Sequence, residues 1–258
     1  MQRRSIQLGL QSAALSSVLA FASTAVAQSD RKDDVDGWVG VVAALGQVSA
    51  VEPAGARGSM GYGIGAGMAV TPAEDGGRLA AIELDSARPD SGNRLTSPRA
   101  WFVKGTPLPI DVGFTGSVDP ESRFSLAAAH MQWTIYESFA RPALALRVGG
   151  ARLFGLPHTT YSNESAELIA GYGFLRYFTV FASAGLVRHA IDLTLNPTDE
   201  TAYLLAEENP DDVMTRDWRS TRQAAGLRVV VWPPFFTASA EAVIGDTRQY
   251  AAKLSFGM

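Results

Sequence analysis

Apolar and polar positions alternate along this chain, and they do so in segment after segment. In residues 235–258, Phe236, Ala238, Ala240, Ala242 and Ile244 share one parity, against Thr237, Ser239, Glu241 and Val243 on the other. After Gly245-Asp246-Thr247 the pattern resumes, with Tyr250, Ala252, Leu254 and Phe256 against Gln249, Ala251, Lys253 and Ser255. A strand points successive side chains to opposite faces, so this stretch reads as a hairpin with one apolar and one polar face. Residues 60–70 repeat the theme with glycine as the second face: Met60, Tyr62, Ile64, Ala66, Met68 and Val70 alternate with Gly61, Gly63, Gly65 and Gly67. A bare glycine face either admits the segment around Trp38 against the wall or relieves curvature.

Other strands follow the same rule. Residues 79–86 make a weaker one, and residues 87–98, rich in Pro, Ser, Gly and Asn, read as a loop. Residues 99–104 and 110–118 form a hairpin about Gly105-Thr106-Pro107-Leu108, with Asp111 on the polar face. In residues 124–136 the phase slips, from Phe124, Leu126 and Ala128 to Met131, Trp133 and Ile135, and a bulge near Ala129-His130 reconciles the two. Residues 142–153 place Arg147 on the polar parity, and residues 165–174 place Glu167 there. Residues 216–231 do the same for Arg222 and Arg228. The run 37–49 has neither clean alternation nor a helical stripe and fits a first strand or a short helix tucked inside.

The expected fold is therefore all-β: an antiparallel up-and-down transmembrane β-barrel of ten to twelve strands, twelve preferred. Only helices and closed barrels satisfy every backbone group in a bilayer, and no later segment is long or apolar enough for a membrane helix. Aromatic residues gather at the turns 137–140, 174–176 and 232–234. That places the short turns at the periplasmic side and the acidic stretch 195–215, which contains no basic residue, outside. Residues 1–27 read as a cleaved secretory signal peptide, with Arg3 and Arg4 before an apolar run and Ala25-Val26-Ala27 at the cleavage site. Residues 28–59 form an N-terminal segment, first strand or lumenal plug, and 60–258 the barrel. The terminal alternating strand with Phe256 resembles the closing strand that barrel-assembly machinery recognises.

Composition narrows function. Without Arg3 and Arg4, 20 basic residues face 26 acidic ones, a formal charge of minus six that argues against nucleic acid as a partner. The absence of cysteine excludes a disulfide framework and thiolate metal sites. The run Arg99-Ala-Trp-Phe-Val-Lys-Gly-Thr-Pro-Leu-Pro-Ile-Asp-Val-Gly113, followed by Arg141-Pro-Ala-Leu-Ala-Leu-Arg147, resembles a group of uncharacterised proteobacterial outer-membrane β-barrel proteins. The likeness covers the central half of the chain and implies fold and outer-membrane location, with no activity attached.

Candidate chemistry is sparse. Of His130, His158 and His189, only His189 shares a strand face with a serine, Ser183. Six residues of strand separate that pair by about 20 Å, too far for nucleophile and base. No catalytic residue, metal ligand or cofactor is expected, and the chain is read as a non-enzyme. Asp111, Arg147, Glu167, Arg222, Arg228, Glu241 and Lys253 all fall on the lumen parity, either closing the lumen as a network or lining a polar route for a small solute. Arg152, Arg188, Arg219 and Arg248 fall on the lipid parity. Arg188 is ten residues from Phe178 and Arg219 twelve from Val231. At about 3.3 Å per residue and a tilt near 45° this is about 23–28 Å of height, so the four mark the outer rim, where guanidinium groups meet lipopolysaccharide phosphates. The leading expectation is a structural or surface-interaction barrel with, at most, a narrow passage. A transport channel and a lipid-modifying barrel enzyme are the alternatives.

Overall fold

The computed structural model describes residues 34–48, 51–72, 94–118, 124–138, 141–156, 159–174, 177–193, 215–233, 235–245 and 248–257. Within them one helix, α1 (Asp34–Gly46), precedes ten strands. These are β1 (Tyr62–Pro72), β2 (Arg94–Gly105), β3 (Ile110–Val118), β4 (Ser125–Ser138) and β5 (Arg141–Phe154), then β6 (Thr159–Phe174), β7 (Phe178–Leu193), β8 (Thr215–Trp232), β9 (Phe236–Gly245) and β10 (Gln249–Gly257). Each strand pairs antiparallel with its sequence neighbour, and β1 closes the barrel on β10 through Gly63 to Gly257, Ile64 to Phe256 and onward to Val70 with Tyr250.

Ten strands replace the twelve preferred from sequence. Both edges of β1 are occupied, by β2 and β10, so the ladder has no place for the Trp38 run, which forms α1 instead. The expected strand at 79–86, the signal peptide and nearly all of the acidic stretch 195–215 lie outside the described residues. Residues 94–98, read as loop, extend β2, because Ser97 faces the lumen and its hydroxyl meets that of Ser117 at 2.7 Å. The Ser117 hydroxyl also lies 2.6 Å from the Pro98 carbonyl.

The wall is inverted relative to a water-soluble protein. Ile64, Met68, Phe114, Met131, Leu168, Leu186 and Leu254 are exposed on the outside, while the alternate positions carry the polar residues inward. At the short-turn end the aromatics touch: Tyr172 lies 4.6 Å from Phe174, Phe236 5.2 Å from Phe256, and Phe235 5.9 Å from Phe256. An apolar belt bounded by an aromatic girdle is the surface of a barrel built for a bilayer.

The phase slip expected in the fourth strand is absent. Registers run unbroken through Ala129 and His130 on both sides, and the irregularities fall later, at Thr134, Tyr136 and Ser138. Phe124 and Leu126 face inward, at 1% and 3% exposure, because α1 sits there. They pack with Val41, Val42, Leu45, Leu153, Tyr161 and Ile191 in an apolar core inside the barrel. A helix apolar on all sides is a buried helix, and α1 meets its apolar partners on the lumen wall.

Candidate functional site

Residues 39–48 and 51–57 of the chain itself lie inside the lumen, and the inward side chains are what hold them. Helix α1 ends with four carbonyls that have no partner in the helix itself. Each finds one on the wall. Tyr161 Oη donates to Ala43 at 3.4 Å, Gln249 Nε2 to Ala44 at 2.7 Å, Arg99 Nη2 to Leu45 at 3.1 Å and Asn163 Nδ2 to Gly46 at 2.8 Å. Arg99 Nη1 also donates to the Gln47 carbonyl at 2.8 Å, setting a cation at the negative end of the helix dipole.

Beyond the helix the chain threads on through a charged layer. Arg222 bridges Glu167 at 2.5 Å and Glu241 at 3.0 Å, and its Nη1 donates to the Val48 carbonyl at 2.9 Å. The other oxygen of Glu241 accepts the Val51 amide at 3.1 Å. Glu52 pairs with Lys253 and, at 2.7 Å, with Arg57. Arg147 donates to the Glu52 carbonyl at 2.9 Å and to Gln132 at 2.8 Å, and Gln132 in turn donates to the Pro53 carbonyl at 3.2 Å. Asp111 accepts the Arg57 amide at 3.2 Å, and Lys104 reaches the Ser59 carbonyl at 2.9 Å. Burial raises the Glu52 carboxyl, but Lys253, Arg57 and Arg228 outweigh it and hold the group well below the usual carboxylate range.

All seven lumen-parity charges therefore lie inside. Six of them are nearly inaccessible and bonded, while Arg228 is only half-buried. Sequence reasoning missed their acidic partner Glu52 and also Arg57, because residues 51–59 carry no periodicity. It missed Arg99, Tyr161, Asn163 and Gln249 as helix-binding residues. Arg99 shares its strand parity with Trp101, which the structure buries at 2% exposure. The glycine face of β1 meets Arg57 and Lys253 rather than the Trp38 segment. A Cβ on Gly63 would lie 2.9 Å from the Arg57 guanidinium and one on Gly65 2.8 Å from Lys253 Cε.

Ser183 donates to Glu167 at 3.1 Å, and His189 has a different serine, Ser220, whose Oγ lies 2.7 Å from Nε2. Tyr161 Oη is 2.7 Å from Nδ1. Asn163 Nδ2 donates to the Tyr161 hydroxyl at 3.1 Å, and the directions of the Tyr161–His189 and His189–Ser220 bonds follow the tautomer of His189. His189 stacks on Trp218 at 4.7 Å. This chain of bonds passes through Tyr161, a member of the apolar core around α1, to the Ala43 carbonyl of the helix, so it braces α1. His158 lies outside the described residues.

On the outer face, Arg152, Arg188, Arg219 and Arg248 are all exposed. Arg188 and Arg219 are direct cross-strand neighbours, and Asp217 takes Arg188 in a two-pronged ion pair at 2.5 Å. Arg152 stands over the Phe154 ring at 5.4 Å.

No protein-family model and no curated protein matches the chain. Among solved structures it is similar to the N-terminal β-barrel domain of Pseudomonas aeruginosa OprF, at 12% identity over 79% of this chain and 97% of that one, with a TM-score of 0.36. It is also similar to the outer membrane protein OprG of Pseudomonas aeruginosa (12% identity, 80% and 99% covered, TM-score 0.34). A third is the KdgM porin, solved in complex with disordered oligogalacturonate (7% identity, 76% and 99% covered, TM-score 0.37).

Proposed function

We propose that this protein is an outer-membrane barrel sealed by its own N-terminal segment, serving a structural or surface-interaction role rather than free diffusion of solutes. The observation that carries this reading is the run of wall-to-thread bonds, from Tyr161 on Ala43 to Lys104 on Ser59, that ties residues 43–48 and 51–59 to the wall. Such bonds form inside a low-dielectric wall, where an unpartnered peptide group costs several kcal/mol by order of magnitude. The thread is thus held at every level. In this reading residues 1–27 direct export and are removed, β10 with Phe256 is recognised by the barrel-assembly machinery, and the short turns face the periplasm.

Planar-bilayer recording of the purified full chain tests the proposal. The parent is expected to give no steady current steps, and a Glu52→Ala, Arg222→Ala double variant, which releases the thread at two points, is expected to give them. Stable open steps from the parent would establish a channel and overturn the sealed reading.

A further inference from the structure

Below the charged layer, at the short-turn mouth of the barrel, a cavity of about 340 Å³ opens between the thread and the wall. That volume lies at the low end of the range for small-ligand sites, about 300–1,000 Å³. Glu52, Arg57, Asp111, His130, Arg228 and Ser255 contribute to its lining. Three carboxylates border it, and all three are engaged: Glu52 by Lys253 and Arg57, Asp111 by the Arg57 amide, and Glu137 by the Ala56 amide at 3.0 Å. Arg57 is engaged as well, by Glu52 and the Tyr62 carbonyl.

Arg228 is different. Its guanidinium has no hydrogen bond or ion pair among the described residues, and its Nε is buried without a partner. Its cross-strand neighbours, Thr179 and Ser239, are uncharged. Two further lining groups are also unpartnered although more than nine-tenths buried: Nδ1 of His130, a residue 6% exposed, and Oγ of Ser255, 8% exposed. A guanidinium cannot shed its proton to escape burial. It needs a counter-charge, and among the described residues none lies within bonding distance; the carboxylates of Glu52 and Glu137 act on it only from farther away.

We propose that this cavity is a binding site for a small oxyanion, carboxylate or phosphate, held by the Arg228 guanidinium with Ser255 and His130 as secondary contacts. The planar fork of arginine matches both anions in two-pronged geometry. The anion enters from the short-turn side, below the charged layer that blocks passage further in. The site depends only on the cavity and its lining, so an open channel in the bilayer experiment would leave it standing.

The test uses the folded full chain in a zwitterionic detergent and chloride-free buffer at neutral pH, titrated separately with inorganic phosphate, followed by phosphorus NMR line width, and with acetate, followed by calorimetry. Saturable binding of phosphate alone, acetate alone or both supports the site and names its anion. Arg228→Gln should weaken that binding at least tenfold and Ser255→Ala severalfold, while Arg152→Gln, on the outer wall, leaves it unchanged. Heat-modifiable mobility verifies the fold of each variant; if Arg228→Gln does not fold, Arg228→Lys and Ser255→Ala decide by the same measure. No saturation by either anion below about 10 mM (a dissociation constant at which binding is worth under about 3 kcal/mol), or undiminished binding in the variants, overturns it.

Discussion

At the residue scale, Glu52 is the side chain on which the thread depends most. Its carboxylate answers Lys253 and Arg57 at once, and its carbonyl receives Arg147. Buried ion pairs add little over an apolar packing of the same volume, but removing one partner strands the other, at about 3–5 kcal/mol. Glu52→Gln should therefore lower unfolding stability by that order. The pH dependence has a definite sign. A carboxyl held low in the folded state contributes stability that is complete above its unfolded pKa, near 4.3, and is lost as pH falls below that value. Thermal unfolding from pH 7 to pH 3 should show a fall in the parent that is smaller in Glu52→Gln; identical slopes would remove Glu52 from the account. Next to it, Val51 sits at φ 49°, a left-handed conformation that a β-branched residue rarely adopts and that costs about 1–3 kcal/mol. The Glu241 bond to its amide and burial among Ala69, Trp101 and Ala251 hold it there.

At the scale of elements, α1 fits closely against the strands around it. Gly46 marks the closest approach, since a Cβ there would lie 2.0 Å from the Tyr161 ring. Gly46→Ala must push away the tyrosine that caps Ala43, and overpacking of this kind costs about 1–3 kcal/mol. Gly116→Ala, where an added Cβ meets nothing within 4 Å, should stay within about 0.5 kcal/mol of the parent. Equal unfolding midpoints for the two variants would mean that α1 does not press on β6 as described. The same closeness explains the misread fourth strand. Phe124 and Leu126 follow the rule that apolar residues seek apolar surroundings, but their surroundings are a helix inside the barrel rather than lipid outside it.

At the scale of the whole molecule, the outer wall must match a bilayer. An arginine at mid-membrane on a barrel's lipid face costs about 2–4 kcal/mol, so the outward arginines belong at the edge of the apolar belt. We expect this rim to meet lipopolysaccharide phosphates. The four arginines do not contribute alike: Arg188 is already engaged by Asp217, while Arg152, Arg219 and Arg248 are exposed. Changing all four to Gln should reduce the lipopolysaccharide that co-purifies with the folded barrel, and Arg188→Gln alone should have the smallest effect of the four single changes. Equal retention by the quadruple variant and the parent would leave the arginines as no more than the end of the belt.

Alternation determined antiparallel strands with two unlike faces and put Asp111, Arg147, Glu167, Arg222, Arg228, Glu241 and Lys253 on the polar one; the aromatic turns and the terminal strand with Phe256 were needed to read those strands as a barrel. A period of two is a local property, fixed by backbone geometry, and it survives in any register. Only the tertiary structure decided the strand number, the partners of those charges and what fills the lumen. Whether the Trp38 run became an eleventh strand or a helix depended on β1 and β10 meeting, a contact between residues far apart in the chain. The pairing of Lys253 with Glu52 likewise joins the last strand to a segment without periodicity. Long-range closure brings such groups together, and no pattern read along the chain carries that information.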